Sequence, residues 1–281
     1  MEKEDPGFWR KLSLGVSLAL VIALVATARL WSELNALKTR PAPAAPENVA
    51  GSAGQKESPN VLPSYAELRG EINRRLGIGE DAISFVTPQS PAVTAAVKEI
   101  TSGYKENSSE FWRDCDNIFR WVTQNVSYSP DTYTLLVPES PDAGLKWVDE
   151  FWRTPEETLK DKAGDCEDLS VLLASMLLNY NEGRYSVWVV VIGNEAVSHI
   201  AVALPVAGKM LTIMDPTAFY ITGPTGSVLS SREVDVAVKD WLSHWEEKMP
   251  GARIKAVFNN EFYKDFLSTQ AFINWANKEI D

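Results

Sequence analysis

The chain has 281 residues, 45% of them hydrophobic and 10% aromatic, enough for a sizeable core and too much for a wholly disordered protein. Its formal charge is -11, and residues 1–40 hold six Lys/Arg against four Asp/Glu, so the acidity lies downstream of them. Such a surface repels a phosphate backbone and excludes nucleic acid as an expected partner.

In chain order, a short flank (1–11) precedes the run LSLGVSLALVIALVATA, seventeen residues without a charge between Lys11 and Arg29. Leu30 and Trp31 extend the run and Arg29 can snorkel to the headgroups, so a membrane anchor is predicted over 12–31. Ala26-Thr27-Ala28 resembles a cleavage site, which leaves a signal peptide as the alternative; the uninterrupted length favours the anchor. Residues 32–63 are rich in Pro, Ala, Gly and Ser and read as a flexible tether. Sequons at Asn107 and Asn125 suit a single-pass protein with an extracytoplasmic domain. The rest, 64–281, reads as one domain, divided into a helical preface (64–108), a core (109–218) and a C-terminal cover (219–281).

Helices are predicted from Tyr65 to Leu76, after Ser90-Pro91 to about Ser102, and from Ser109 to Asn125. The last has Phe111, Cys115, Ile118 and Val122 on one face, which makes Cys115 a packing residue. Residues 127–152, rich in Pro, Tyr and Asp, read as long loops. Thr154-Pro155-Glu156-Glu157 has the cap, proline and acids of a helix start. It leads to KAGDCEDLSVLLASMLL (162–178), apolar on nearly every side and therefore a buried central helix. Strands follow at Tyr185–Ile192, Ser198–Leu204 and Lys209–Asp215, and a helix, a short strand and a last helix complete an α+β domain.

Cys166 sits where the central helix begins, where free amide N–H groups and the helix dipole favour a thiolate. His199 near the start of one strand and Asp215 at the end of the next complete a nucleophilic triad: Cys166 attacks, His199 takes its proton, and Asp215 orients the imidazole. In an antiparallel sheet the two would lie side by side near one sheet edge, where the central helix could face them. The other histidine, His244, reads as a solvated helix residue. Asp165, Glu167 and Asp168 suit a first helical turn but oppose thiolate formation unless they turn away or meet cations; an internal hydrogen bond is expected for Asp168. A zinc set of Cys166, His199 and an acid lacks a second His or a close Cys pair, so no metal or other cofactor is expected. The backbone N–H of Cys166 is one oxyanion donor, and Trp152, Trp147 and Tyr133 are candidates for the second.

TPEETLKDKAGDCEDLSVLLASML, SHIAVAL and IMDPTA resemble the Cys, His and Asp blocks of the transglutaminase-like superfamily, a papain-related group, and FRWVTQNVSYSPD (119–131) resembles the helix and loop before them. The resemblance implies a papain-like core in which the Cys helix packs on an antiparallel sheet carrying His199 and Asp215. It implies a cysteine peptidase or amidase working through a thioester on a protein or peptide substrate. The alternatives are a crosslinking acyltransferase and a non-catalytic binding module. Ile200 and Ala201 follow the histidine where the family often has an aromatic and a Glu, and Met214 stands where an aromatic often precedes the aspartate.

Overall fold

A computed structural model describes residues 64–77, 79–140, 144–223 and 229–280. The anchor predicted at 12–31 and the tether at 32–63 lie outside them. Among the described residues no helix is long and apolar enough to cross a membrane.

Helix α1 (Tyr65–Asn73) begins at a capping box in which Ser64 and Glu67 satisfy each other's backbone N–H groups. After a 3₁₀ turn (Glu80–Phe85) come α2 (Pro91–Thr101) and α3 (Ser108–Asn125). Ser90 precedes α2 as expected, but its side chain makes no cap bond, so the start rests on Pro91. Cys115, Ile118 and Val122 are buried along α3 as its periodicity requires. The predicted loops contain more pairing than expected: β1 (Ser127–Tyr128), and a small hairpin of β2 (Thr134–Leu136) and β3 (Lys146–Val148). Three-residue strands in a Pro-rich stretch are too short to leave a period in the sequence.

Thr154 and Glu157 form the predicted capping box of α4 (Pro155–Asp161), which ends at Lys162 in the left-handed conformation. β4 (Ala163–Gly164) then pairs in parallel with β1, Tyr128 beside Gly164. This bridge delivers the chain to α5 (Cys166–Tyr180), in which every side chain except Cys166 and Asn179 is buried. α5 is enclosed because α2, α3 and α4 cover it on one side and the main sheet on the other.

That sheet is antiparallel, in the order β11-β10-β5-β6-β7-β8, with β9 (Arg232–Glu233) beside β7. Its central strands are β5 (Trp188–Gly193), β6 (Ser198–Val206) and β7 (Met210–Asp215); β8 is Tyr220–Ile221, β10 Arg253–Phe258 and β11 Tyr263–Asp265. Both faces are covered. Ile200, Val202 and Leu204 of β6 join the core around α5, whereas Ala201 and Ala203 join a second core under α6 (Val234–Trp245) and α7 (Thr269–Glu279). Alternation along a strand therefore decides which helix each side chain meets.

Candidate active site

Cys166 is the first residue of α5, and its thiol donates to Glu167 Oε2 at 3.2 Å. Burial, followed by the charges of Glu167 and Asp165, pushes the thiol well above its ordinary pKa. Burial first, and then the flanking acids, thus oppose the thiolate that the helix end favours.

Gly164 is required two residues earlier, because a Cβ there would stand 2.5 Å from Asp168 Cβ and 2.8 Å from its Oδ2. The space is taken by the Asp168 carboxylate, fully buried, which accepts from the backbone N–H of Arg153 at 2.7 Å, from the Arg153 guanidinium, and from the N–H of Asp165 at 3.4 Å. The internal role expected for Asp168 is thereby met. Gly164→Ala is expected to lower stability by about 1–3 kcal/mol, as overpacking does. Denaturant titration measures it, and an unchanged midpoint would show that the helix start shifts freely.

Arg153 also binds Asp131 at 3.2 Å, and Asp131 accepts from the N–H of Phe151, so one guanidinium ties the loop after β1 to α5. Asp131, Asp165 and Glu167 each bring a ligand oxygen within 4.8 Å of the others. Asp165 Oδ1 is buried there with no hydrogen-bond partner. Burial and mutual repulsion push Glu167 up to about 11, Glu150 to about 7 and Asp131 to about 6. An all-oxygen set of this kind fits a hard divalent cation such as calcium, not the Cys/His zinc set considered from sequence. Asp131 lies too far upstream in the chain for ligand spacing to have suggested it.

His199 and Asp215 are joined, Nε2 to Oδ2, at 2.7 Å, and both are buried. Their setting differs from expectation in two ways. β6 and β7 are internal strands, so the pair lies at the end of the sheet and not at an edge strand. His199 is in register with Ile192 and Asp215 with Tyr220, residues of the second core, so both side chains face α6 and not α5. The His199 ring lies 4.0 Å from the Trp245 ring. Trp241 and Trp245 Nε1 each donate to Asp215 Oδ2 at 3.0 Å, and Ala218 N–H donates to Oδ1 at 3.0 Å. Burial alone would raise the Asp215 carboxyl, but the imidazole above all, and then Trp241 and the Ala218 N–H, hold it below the usual carboxylate range.

Among the described residues no hydrogen bond joins Cys166 to His199. The two nevertheless share one end of the sheet. Ser170, one turn after Cys166, donates to the carbonyl of Ile200 at 3.0 Å. α5 leads by a short connection into β5, which runs back beside β6, so α5 and β6 point the same way and both begin at this end. Imidazole Nδ1 is the ring atom that Asp215 leaves over.

Of the oxyanion candidates, Trp152 is fully buried between Phe85 and Phe258, and its N–H is already given to Glu150 at 2.7 Å. Trp147 and Tyr133 lie exposed on and beside the β2–β3 hairpin. Tyr128, not singled out from sequence, pairs with Gly164 two residues before Cys166, and it is 58% exposed. Both cysteines are free; Cys115 is a core residue, as its helical face required. His244 packs against Tyr220 and Trp245.

A family model described as a transglutaminase-like domain matches residues 95–223. Over 92 residues the chain is 32% identical to UPF0252 protein MJ1282 of Methanocaldococcus jannaschii, a match that spans 33% of this chain and 24% of that relative's length. Among solved structures, EGTA-treated LapG of Legionella pneumophila aligns with TM-score 0.39 and 14% identity over 71% of this chain and 94% of that one. Calcium-bound LapG aligns with TM-score 0.33 and 14% identity over 67% and 99%.

Proposed function

We propose, from the match of residues 95–223 to a transglutaminase-like domain model, that the protein is a cysteine hydrolase that opens amide bonds of a protein or peptide through Cys166, His199 and Asp215. The observation that carries this reading is the buried His199–Asp215 pair at the sheet end where the helix headed by Cys166 begins. In the reaction Cys166 Sγ attacks the amide carbon and its proton passes to His199 Nδ1, then on to the leaving amine. Water, deprotonated by the same nitrogen, cleaves the thioester. The Cys166 N–H stabilises the oxyanion, and the Tyr128 phenol, on the strand paired with the segment before Cys166, is our candidate for the second donor. Resting enzymes often hold such contacts longer than they are during turnover. For the thiol to reach the imidazole it must leave Glu167, and that exchange is the activating step. An electrophilic probe on the folded protein, with mass spectrometry of the labelled peptide, tests the reading: a label on Cys166 that depends on His199 supports it.

A divalent cation bound by Asp131, Asp165 and Glu167 would supply positive charge beside the thiol, and with it the missing reason for buried acids at this position. The carboxyls raised by burial bind more protons folded than unfolded, so without a cation they favour the fold at low pH and oppose it as pH rises, from about 4 through 7 for Asp131 and Glu150 and on to about 11 for Glu167. The thermal midpoint in EDTA is therefore expected to fall between pH 5 and pH 8, and millimolar calcium to restore it at pH 8. A midpoint indifferent to both chelator and calcium would remove the cation from this reading.

The Cys166–Glu167 contact specifically favours a second reading, a non-catalytic module built on the same fold. Thiol reactivity that ignores His199 would select it.

A further inference from the structure

Helix α6 belongs to the C-terminal cover, in which the sequence showed no chemistry, yet it supplies two of the three donors on one oxygen of Asp215. Trp241 and Trp245 are four residues apart, so both indoles leave the same face of the helix toward the sheet. Packing alone does not account for this. A phenylalanine fills such a space, whereas two indole N–H groups aimed at one buried carboxylate oxygen act on its charge and its position.

The consequence passes to His199. With Ala218 N–H on Oδ1 and three donors on Oδ2, the carboxylate has no free direction in which to turn. The imidazole, in van der Waals reach of the Trp245 ring, would break its 2.7 Å bond if it flipped, leaving a buried carboxylate one donor short. We propose that Trp241 and Trp245 are positioning residues: by fixing Asp215 they hold His199 as the Nε2–H tautomer and keep Nδ1 free to accept a proton. The proposal rests on the triad reading for its purpose, while its geometry stands without it.

The chain has only two histidines, so ¹⁵N-histidine labelling gives spectra simple enough to read ring by ring. At alkaline pH, where imidazoles are neutral, wild-type His199 is expected to show one protonated and one unprotonated nitrogen. In Trp245→Phe and Trp241→Phe the two nitrogen shifts should move toward each other as the tautomers mix, and alkylation of Cys166 should slow about tenfold, a small general-base loss. A merely structural role moves stability but not the tautomer, so shifts unchanged in both folded variants overturn the proposal. Shifts that average while wild-type Cys166 proves inert support the positioning and defeat the hydrolase reading instead. Should either variant fail to fold, the wild-type indoles decide: two N–H protons near the His199 ring that exchange slowly support the proposal, and exchange as fast as exposed indoles overturns it.

Discussion

Cys166→Ala is expected to abolish labelling by an electrophilic probe, and His199→Ala to slow labelling of Cys166 by about 10²–10⁴-fold, the range that a positioned general base contributes. Cys115 does not confuse the measurement, because it is 1% exposed and burial holds its thiol far above the ordinary range. Glu167→Gln adds a contrast in pH. Glu167 is pushed up to about 11, so near neutral pH it is an uncharged acid that glutamine imitates, and this variant is expected to label at about the wild-type rate there and faster than wild type only as the acid ionises at high pH. A wild-type rate in Glu167→Gln at neutral pH together with slower labelling in His199→Ala would identify the imidazole as the base. Equal rates in wild type and His199→Ala would sink the triad and leave the binding-module reading.

Asp168→Ala is expected to cost roughly 3–5 kcal/mol, the penalty for removing one partner of a buried ion pair. Its carboxylate is fully enclosed, and the Arg153 guanidinium, the Arg153 N–H and the Asp165 N–H all depend on it. The guanidinium would keep Asp131, but the two backbone donors would be left unpaired at the turn that carries Cys166. Asp168→Asn keeps an acceptor and should cost less. Linear extrapolation of urea unfolding measures both. A loss under about 1 kcal/mol for the alanine variant would show that Arg153 and Asp131 hold the segment by themselves, against the buried-pair expectation.

Much of the scaffold was legible because its signals are local. The Thr154 box announced α4, and an all-round apolar run with no polar face announced α5 as a buried helix. The β-branched runs announced the strands, although the first begins at Trp188 and not at Tyr185, since Asn181 ties the Tyr185 carbonyl into the preceding turn. Asp168 was expected to bond internally and does, three residues from the backbone N–H it accepts.

The sequence could name candidate site residues but not their arrangement. SHIAVAL carries apolar residues at both parities, because helices cover both faces of the sheet, so the strand has no alternation to say which helix His199 meets. Trp241 and Trp245 follow Asp215 by 26 and 30 residues, and only the packing of α6 on the sheet brings them to its carboxylate. Asp131 reaches the acids around Cys166 through the β1–β4 bridge, a pairing of two-residue strands with no sequence signature.

The sequence by itself determined the main helices and central strands, the helix-start cysteine and the order Cys166, His199, Asp215, because caps, periodicity and β-propensity act over a few residues. Tertiary structure alone decided that the thiol rests against Glu167, that the imidazole faces α6, and that a carboxylate cluster forms beside Cys166. Those outcomes depend on register and burial, which join residues far apart in the chain and set their charges against one another.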